Sequence, residues 1–128
     1  MASEDFVHLH VHTDYSMLDG AAKIKKLVDA AVDKGQKAIA ITDHGYVFGA
    51  YEFYKNAVDA GIKPIIGVEA YVTPGTSRHD RSRVQWGTKV QQEAGDDVSA
   101  RGAYTHLTLL SRSTEGMHNL FRLASYAS

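Results

Sequence analysis

Residues 6–20 read FVHLHVHTDYSMLDG, and in the first half of this segment aliphatic and histidine side chains alternate. The histidines occupy even positions and the aliphatic residues odd ones: His8, His10 and His12 against Val7, Leu9 and Val11. Because successive side chains of a strand point to opposite faces, the pattern predicts a strand over 6–11 with its imidazoles on one face. His10 and His12 could then hold one metal ion; the alternative is a polar strand face exposed to solvent.

Strand and helix patterns alternate downstream of this segment. The apolar positions Ile24, Leu27, Val28 and Ala31 have helical spacing, and Gly35 is a typical helix stop. Further segments follow: a buried strand over 38–42, a helix to Gly61 with Tyr51, Tyr54 and Val58 on one side, and a strand over 64–72. This order predicts an α/β fold of βαβ units with a parallel sheet.

The alternation is interrupted in the second half of the chain. Residues 75–102 are rich in charge and poor in aliphatic side chains, so an exposed insertion is expected there. A fourth strand is predicted over 104–110, followed by a helix with Ser113 as its N-cap.

Composition excludes several classes of protein. The 128 residues carry 14 Lys and Arg against 15 Asp and Glu, for a formal net charge of −1, which argues against a strongly basic nucleic-acid-binding module. The absence of cysteine excludes disulfide scaffolds and Cys-ligated zinc fingers. The start of the chain lacks the pattern of a signal peptide and no apolar run has the length of a membrane span, so we expect a cytoplasmic protein. Seven histidines are the unusual feature.

Four more candidate ligands lie near the predicted strand ends. His44 follows the second strand and Glu69 lies near the end of the third, where functional residues of βα folds collect. Asp19 precedes the first helix, and the alternative role for it is a helix N-cap. His106 begins its strand, so a simple barrel of parallel strands does not bring it to the same edge. The remaining histidines are assigned no functional role: His8, His79 and His118.

These ligands are nitrogen and oxygen donors without a thiolate. Such sets suit Zn, Mn or Fe at more than one site, because a carboxylate can bridge two ions. Clustered ions of this kind serve the hydrolysis of phosphate esters.

Four segments resemble successive motifs of the polymerase and histidinol phosphatase (PHP) domain. They are residues 6–20, 41–45 (ITDHG), 61–70 (GIKPIIGVEA) and 104–110 (YTHLTLL), in family order and at family spacing. The residues of these motifs are most similar to those of the PHP domains of bacterial replicative DNA polymerases.

The resemblance implies a distorted TIM-like (β/α)7 barrel with a trinuclear centre of nine ligands. Six of these positions fall in this chain: His10, His12, Asp19, His44, Glu69 and His106. Residues 1–128 are therefore expected to form the N-terminal part of a PHP domain, without the rest of the barrel or the polymerase core. By the family pattern, Glu69 bridges two of up to three Zn or Mn ions.

The resemblance also implies a function. The parent protein would synthesise DNA, and its PHP domain would be a metal-dependent 3′–5′ exonuclease for proofreading. The expected partners are a DNA 3′ end and the other subunits of the polymerase holoenzyme, with no membrane. Two alternatives stay open: a non-catalytic domain stabilised by its metals, and a phosphatase of the histidinol phosphate type. The isolated chain is expected to be inactive.

Overall fold

The computed structural model of the chain describes residues 6–17, 19–73, 75–80 and 104–128. Its elements, in chain order, are α1 (Ile24–Asp33), β1 (Ala38–Ile41), α2 (Ala50–Asp59), β2 (Lys63–Val72), β3 (Thr105–Leu110) and α3 (Thr114–Ala127). All the helices and strands predicted downstream of residue 20 are present, and the α/β fold class is confirmed. None of the helices in these described ranges is long and apolar enough to cross a membrane.

The core lies between α1, α2 and the strongly apolar strand β1. The helix α1 turns its periodic apolar side inward, and Gly35 follows it at a φ of 69°, as its sequence predicts. All four residues of β1 are buried. The sequence of this strand, AIAI, can be apolar throughout because both of its faces are covered.

The buried side of α2 differs from the side that its aromatic residues suggest. The helix packs against the core through Ala50, Phe53 and Ala57, while Tyr51 and Tyr54 are exposed. The small alanines let the helix approach the sheet closely around the Phe53 ring, whereas each tyrosine keeps its hydroxyl in water.

The sheet has the strand order β1-β2-β3 within the described residues. As expected, β1 and β2 are parallel, with Ala38 opposite Lys63. The expectation of a parallel fourth strand is wrong, because β3 runs antiparallel to β2 and places His106 opposite Tyr71. A parallel return needs a crossover, usually a helix, and residues 75–102 lack the apolar helical pattern that such a crossover would carry.

The regular strand predicted over 6–11 is replaced by an irregular extended segment alongside β1. The amide of Ala40 donates to the carbonyl of His8 at 2.9 Å, and that of Thr42 to Val11 at 2.8 Å. The two donors lie two residues apart in the chain, but the two acceptors lie three residues apart. The segment therefore contains one residue more than a regular ladder would.

The end of the chain is a capped helix. The Ser113 hydroxyl accepts a hydrogen bond from the amide of Gly116 at 3.1 Å, which confirms the predicted N-cap. Leu120 is buried, and Met117 and Phe121 pack against the core. Of the predicted insertion, residues 75–80 form a largely exposed turn, and 81–102 lie outside the described residues.

Replacing Phe53 by Ala should lower the free energy of unfolding by about 3–5 kcal/mol, because the ring is fully buried and its removal leaves a cavity. Tyr54→Ala is the matched control, since its ring is exposed on the same helix, and it should change stability by less than about 0.5 kcal/mol. Urea unfolding followed by circular dichroism measures both variants. Equal losses would show that α2 does not pack through Phe53.

Candidate metal centre

The six predicted ligand residues all line one cavity of about 890 Å³ at the carboxyl end of β1 and β2. Five separate parts of the chain provide them. His10 and His12 come from the extended segment 6–12, and Asp19 comes from the turn before α1. His44 follows β1, and the other two residues, Glu69 and His106, lie within β2 and β3.

Glu69 is the centre of this arrangement. The residue is 4% exposed, and one carboxylate oxygen, Oε2, lies 2.5 Å from Nε2 of His10 and 2.5 Å from Nε2 of His12. The other oxygen, Oε1, contacts Nδ1 of His106. The backbone fixes this position, because the amide of Glu69 donates to the carbonyl of Asp43 at 3.0 Å.

The Glu69 carboxylate stays ionised well into acid. Burial raises its pKa, but hydrogen bonds with His10 and His12 and the nearby rings of His44 and His106 outweigh burial and lower the pKa to about 2. The side chain therefore carries a buried negative charge, and its hydrogen-bond partners among the described side chains are imidazoles. Such a charge is stable only when it is paired or coordinates a cation.

Asp19 and His44 form the second part of the cluster. Oδ2 of Asp19 lies 2.5 Å from Nε2 of His44 and 3.2 Å from Nδ1 of His12. The hydrogen bond with His44 lowers the pKa of Asp19. The alternative role of Asp19 as helix N-cap is wrong, because α1 begins after Lys23 and has no side-chain cap.

His106 reaches the cluster because its strand is antiparallel. The first residues of β3 lie beside the last residues of β2, so a histidine that begins β3 faces the same edge as residues that end β1. The parallel-barrel expectation for His106 is wrong for this reason.

The donor atoms fall into three overlapping groups, and the atoms of each lie within 4.8 Å of one another. The groups are His10, His12 and Glu69; His12, Asp19 and His44; and His44, Glu69 and His106. Nδ1 of His44 is buried without a hydrogen-bond partner among the described residues. Imidazole nitrogens and carboxylates at this spacing fit divalent Zn or Mn, and neither Lys nor Arg is among the described side chains that line the cavity.

The other histidines of the described ranges lie outside these groups. The ring of His8 packs on Phe6 at 4.7 Å, and His79 lies beside Arg78. His118 is on the exposed side of α3.

A buried network around Asp43 lies beneath the ligands, and the sequence reasoning missed it. Oδ1 of Asp43 accepts hydrogen bonds from the amide of Thr13 and the hydroxyl of Ser16, both at 2.6 Å, and Oδ2 accepts one from the Thr13 hydroxyl at 2.8 Å. The Ser16 hydroxyl accepts in turn from the amide of His44 at 3.1 Å. The sequence feature that could have indicated this network is the acidic residue directly after the apolar strand 38–42.

Aromatic side chains form much of the remaining cavity wall, and they were also missed. The ring of Tyr71 lies parallel to that of His44 at 6.2 Å and contacts that of Tyr104 at 4.8 Å. Burial is the main cause that raises the pKa of Tyr71, so its hydroxyl stays protonated at neutral pH. Gly45, at a φ of 68°, leaves room for this ring, since a Cβ there would lie 2.8 Å from it.

Comparison with known proteins identifies the family of the chain. Residues 8–128 match the model of the PHP domain family, and the chain belongs to that family. Its curated relatives include DNA polymerase III alpha subunits. The one from Mycobacterium leprae is 56% identical over 100% of this chain and 11% of its own length. The one from Aquifex aeolicus is 46% identical over 98% of this chain and 10% of its own length.

The chain thus spans about a tenth of the length of the curated relatives it matches. Among solved structures, an amidohydrolase from Chromobacterium violaceum with bound sulfate is similar over 54% of this chain and 24% of its own, at 33% identity and a TM-score of 0.49.

Replacing Asp43 by Asn should weaken Mn²⁺ binding about 10–100-fold, because the groups that orient metal ligands have effects of this size. The amide has a single acceptor oxygen and no charge, so the three donors from Thr13 and Ser16 lose their common anchor. Titration calorimetry with Mn²⁺ measures the change. Asp59→Asn, at the exposed end of α2, is the control. Equal affinity of both variants would exclude a positioning role for Asp43.

Proposed function

We propose that this PHP domain hydrolyses the 3′-terminal phosphodiester of DNA, as a 3′–5′ exonuclease that proofreads for the polymerase carrying it. The observation that supports it is the convergence of four imidazoles and two carboxylates on one cavity, with Glu69 shared between groups. Identity of 46–56% to DNA polymerase III alpha subunits favours DNA over a small phosphomonoester as the substrate.

We propose that these ligands hold up to three ions of Zn or Mn. His10, His12 and Glu69 would hold one, with Glu69 bridging to a second beside His106. Asp19 and His44 would hold the third. When bound, such ions supply Lewis acidity for phosphoryl oxygens and lower the pKa of water.

The protein's own residues provide the rigid frame for this chemistry. Glu69 keeps a negative charge because its pKa is about 2, so it neutralises cations at any physiological pH. The His10 side chain is 55% exposed and the Asp19 side chain 63%, so these two ligands face the open side of the cavity from which a substrate must arrive. Asp43 holds the turn behind them.

In the full-length protein we propose DNA synthesis in the cytoplasm as the parent activity, with DNA and the other holoenzyme subunits as partners. The isolated chain should not hydrolyse DNA, since three ligands of the PHP pattern have no counterpart in it. In addition, β3 is an edge strand of the described sheet, so this sheet does not close into a barrel. The experiments below therefore use the full-length protein.

The purified full-length protein should retain at least two divalent ions per chain after loading with Mn²⁺ or Zn²⁺ and desalting. Elemental analysis by mass spectrometry measures the content. Glu69→Gln should lose at least one ion, because the residue takes part in two of the three donor groups. A content below one ion per wild-type chain would refute the metal centre.

Replacing His12 by Ala should lower 3′–5′ hydrolysis about 100-fold or more, since even residues that only orient metal ligands cost 10–100-fold. A 5′-labelled single-stranded oligonucleotide, resolved on a denaturing gel, reports the reaction. His118→Ala is the control, because this histidine lies on the exposed side of α3. Polymerisation by His12→Ala should stay near the wild-type rate.

Two results would reject the proposal in favour of its alternatives. Absence of hydrolysis in the wild type, together with a loss of polymerase stability in His12→Ala, would indicate a metal-stabilised structural domain. Turnover of histidinol phosphate without cleavage of DNA would indicate a phosphatase.

A further inference from the structure

The mouth of the metal-ligand cavity carries a pair of exposed aromatic rings that the ligand network does not use. Tyr46 and Phe48 stack with ring centres 4.7 Å apart and planes at 10°. They are 44% and 68% exposed, and both line the cavity. Two large rings in contact with each other and open to water expose an apolar surface of the kind that marks binding sites.

The chain holds this pair close to the candidate metal centre. Tyr46 follows His44 by two residues, and the amide of Gly45 between them donates to the carbonyl of Glu69 at 2.9 Å. The backbone that positions the ligand His44 therefore also positions the ring of Tyr46. A ligand bound in the cavity can contact the imidazoles and these rings together.

The charge of the cavity limits what such a ligand is. Its described lining contains Asp14, Asp19 and Glu69 but neither Lys nor Arg. Sites for single-stranded nucleic acid usually combine a basic groove for the backbone with aromatic rings for the bases. Here the described side chains supply only the aromatic part, and the attraction for phosphate is left to bound cations.

We propose that Tyr46 and Phe48 form a stacking platform for the unpaired base at the 3′ end of a DNA strand. This inference rests on the proposed function, because it specifies the substrate of the same site. A paired base is stacked within the duplex and hides its face, so the platform selects single-stranded or frayed ends. The volume of about 890 Å³ is sufficient for one nucleotide with part of its neighbour.

The test compares the wild-type full-length protein with the double variant Tyr46→Leu/Phe48→Leu, which removes the rings and keeps apolar volume. Each protein is loaded with Mn²⁺. The substrates are two single-stranded oligonucleotides that differ only at the 3′ end, one with thymidine and one with an abasic tetrahydrofuran residue. Tyr126→Leu is the control, since this exposed tyrosine lies on α3 away from the cavity.

We expect the double variant to raise KM for the thymidine substrate about tenfold with kcat within threefold of wild type, as for the loss of one base–aromatic stack. The wild type should prefer thymidine over the abasic end, and the double variant should cleave both alike. An unchanged KM, or a fall in kcat or in metal content without a change in KM, would overturn the platform.

A binding measurement separates this inference from the proposed function. A 3′-terminal 2-aminopurine, joined through a phosphorothioate, loses fluorescence when its base stacks. Quenching by the wild type that is lost in the double variant supports the platform, even if no substrate is cleaved. In that case the proposed exonuclease activity is refuted and the platform is not. Equal quenching by both proteins would refute the platform even if DNA is cleaved.

Discussion

The pairing of one buried carboxylate, that of Glu69, is the interaction on which the rest of this structure depends. An ionised carboxylate inside a protein is costly unless positive or polar groups surround it, and here imidazoles from three separate segments do so, two by hydrogen bonds and His44 at 3.7 Å. The irregular segment 6–12, the end of β1 and the start of β3 must all reach the same point. The antiparallel direction of β3 is what lets its first residues take part.

A second carboxylate, Asp43, lies close by and has a different role because its partners differ. Its oxygens accept hydrogen bonds from an amide and two hydroxyls, groups that do not bind Zn or Mn well and that hold the turn in place. The partners of Glu69 are imidazole nitrogens, which can exchange a hydrogen bond for a metal ion. Asp43 thus holds the turn in place, whereas the hydrogen bonds between Glu69 and its imidazoles can be replaced by metal coordination.

Local pattern was enough to predict α1, β1, β2 and the Ser113 cap, because each depends on periodicity or on one capping side chain. The six candidate ligands were predicted from strand ends and the PHP motifs, and all six line one cavity. Properties that depend on long-range pairing were not predictable in this way. The direction of β3 is set by its pairing with β2, and the buried side of α2 by how closely alanines let it pack. The Asp43 network was missed because its partners lie about 30 residues away along the chain.

The charge distribution separates two tasks within the cavity. Since its described lining contains carboxylates and neither Lys nor Arg, the proposed function leaves the attraction for an anionic phosphate to cations at the ligand cluster. The rings of Tyr46 and Phe48 carry no charge and need no metal to stack with a base. Under the proposed function, reaction and base recognition would therefore rest on different side chains that are joined by the short stretch from His44 to Phe48. A PHP domain that kept these rings but lost its ligands would keep a surface for base stacking and lose both hydrolysis and the cation-dependent hold on phosphate, so it would bind an unpaired 3′ end only weakly.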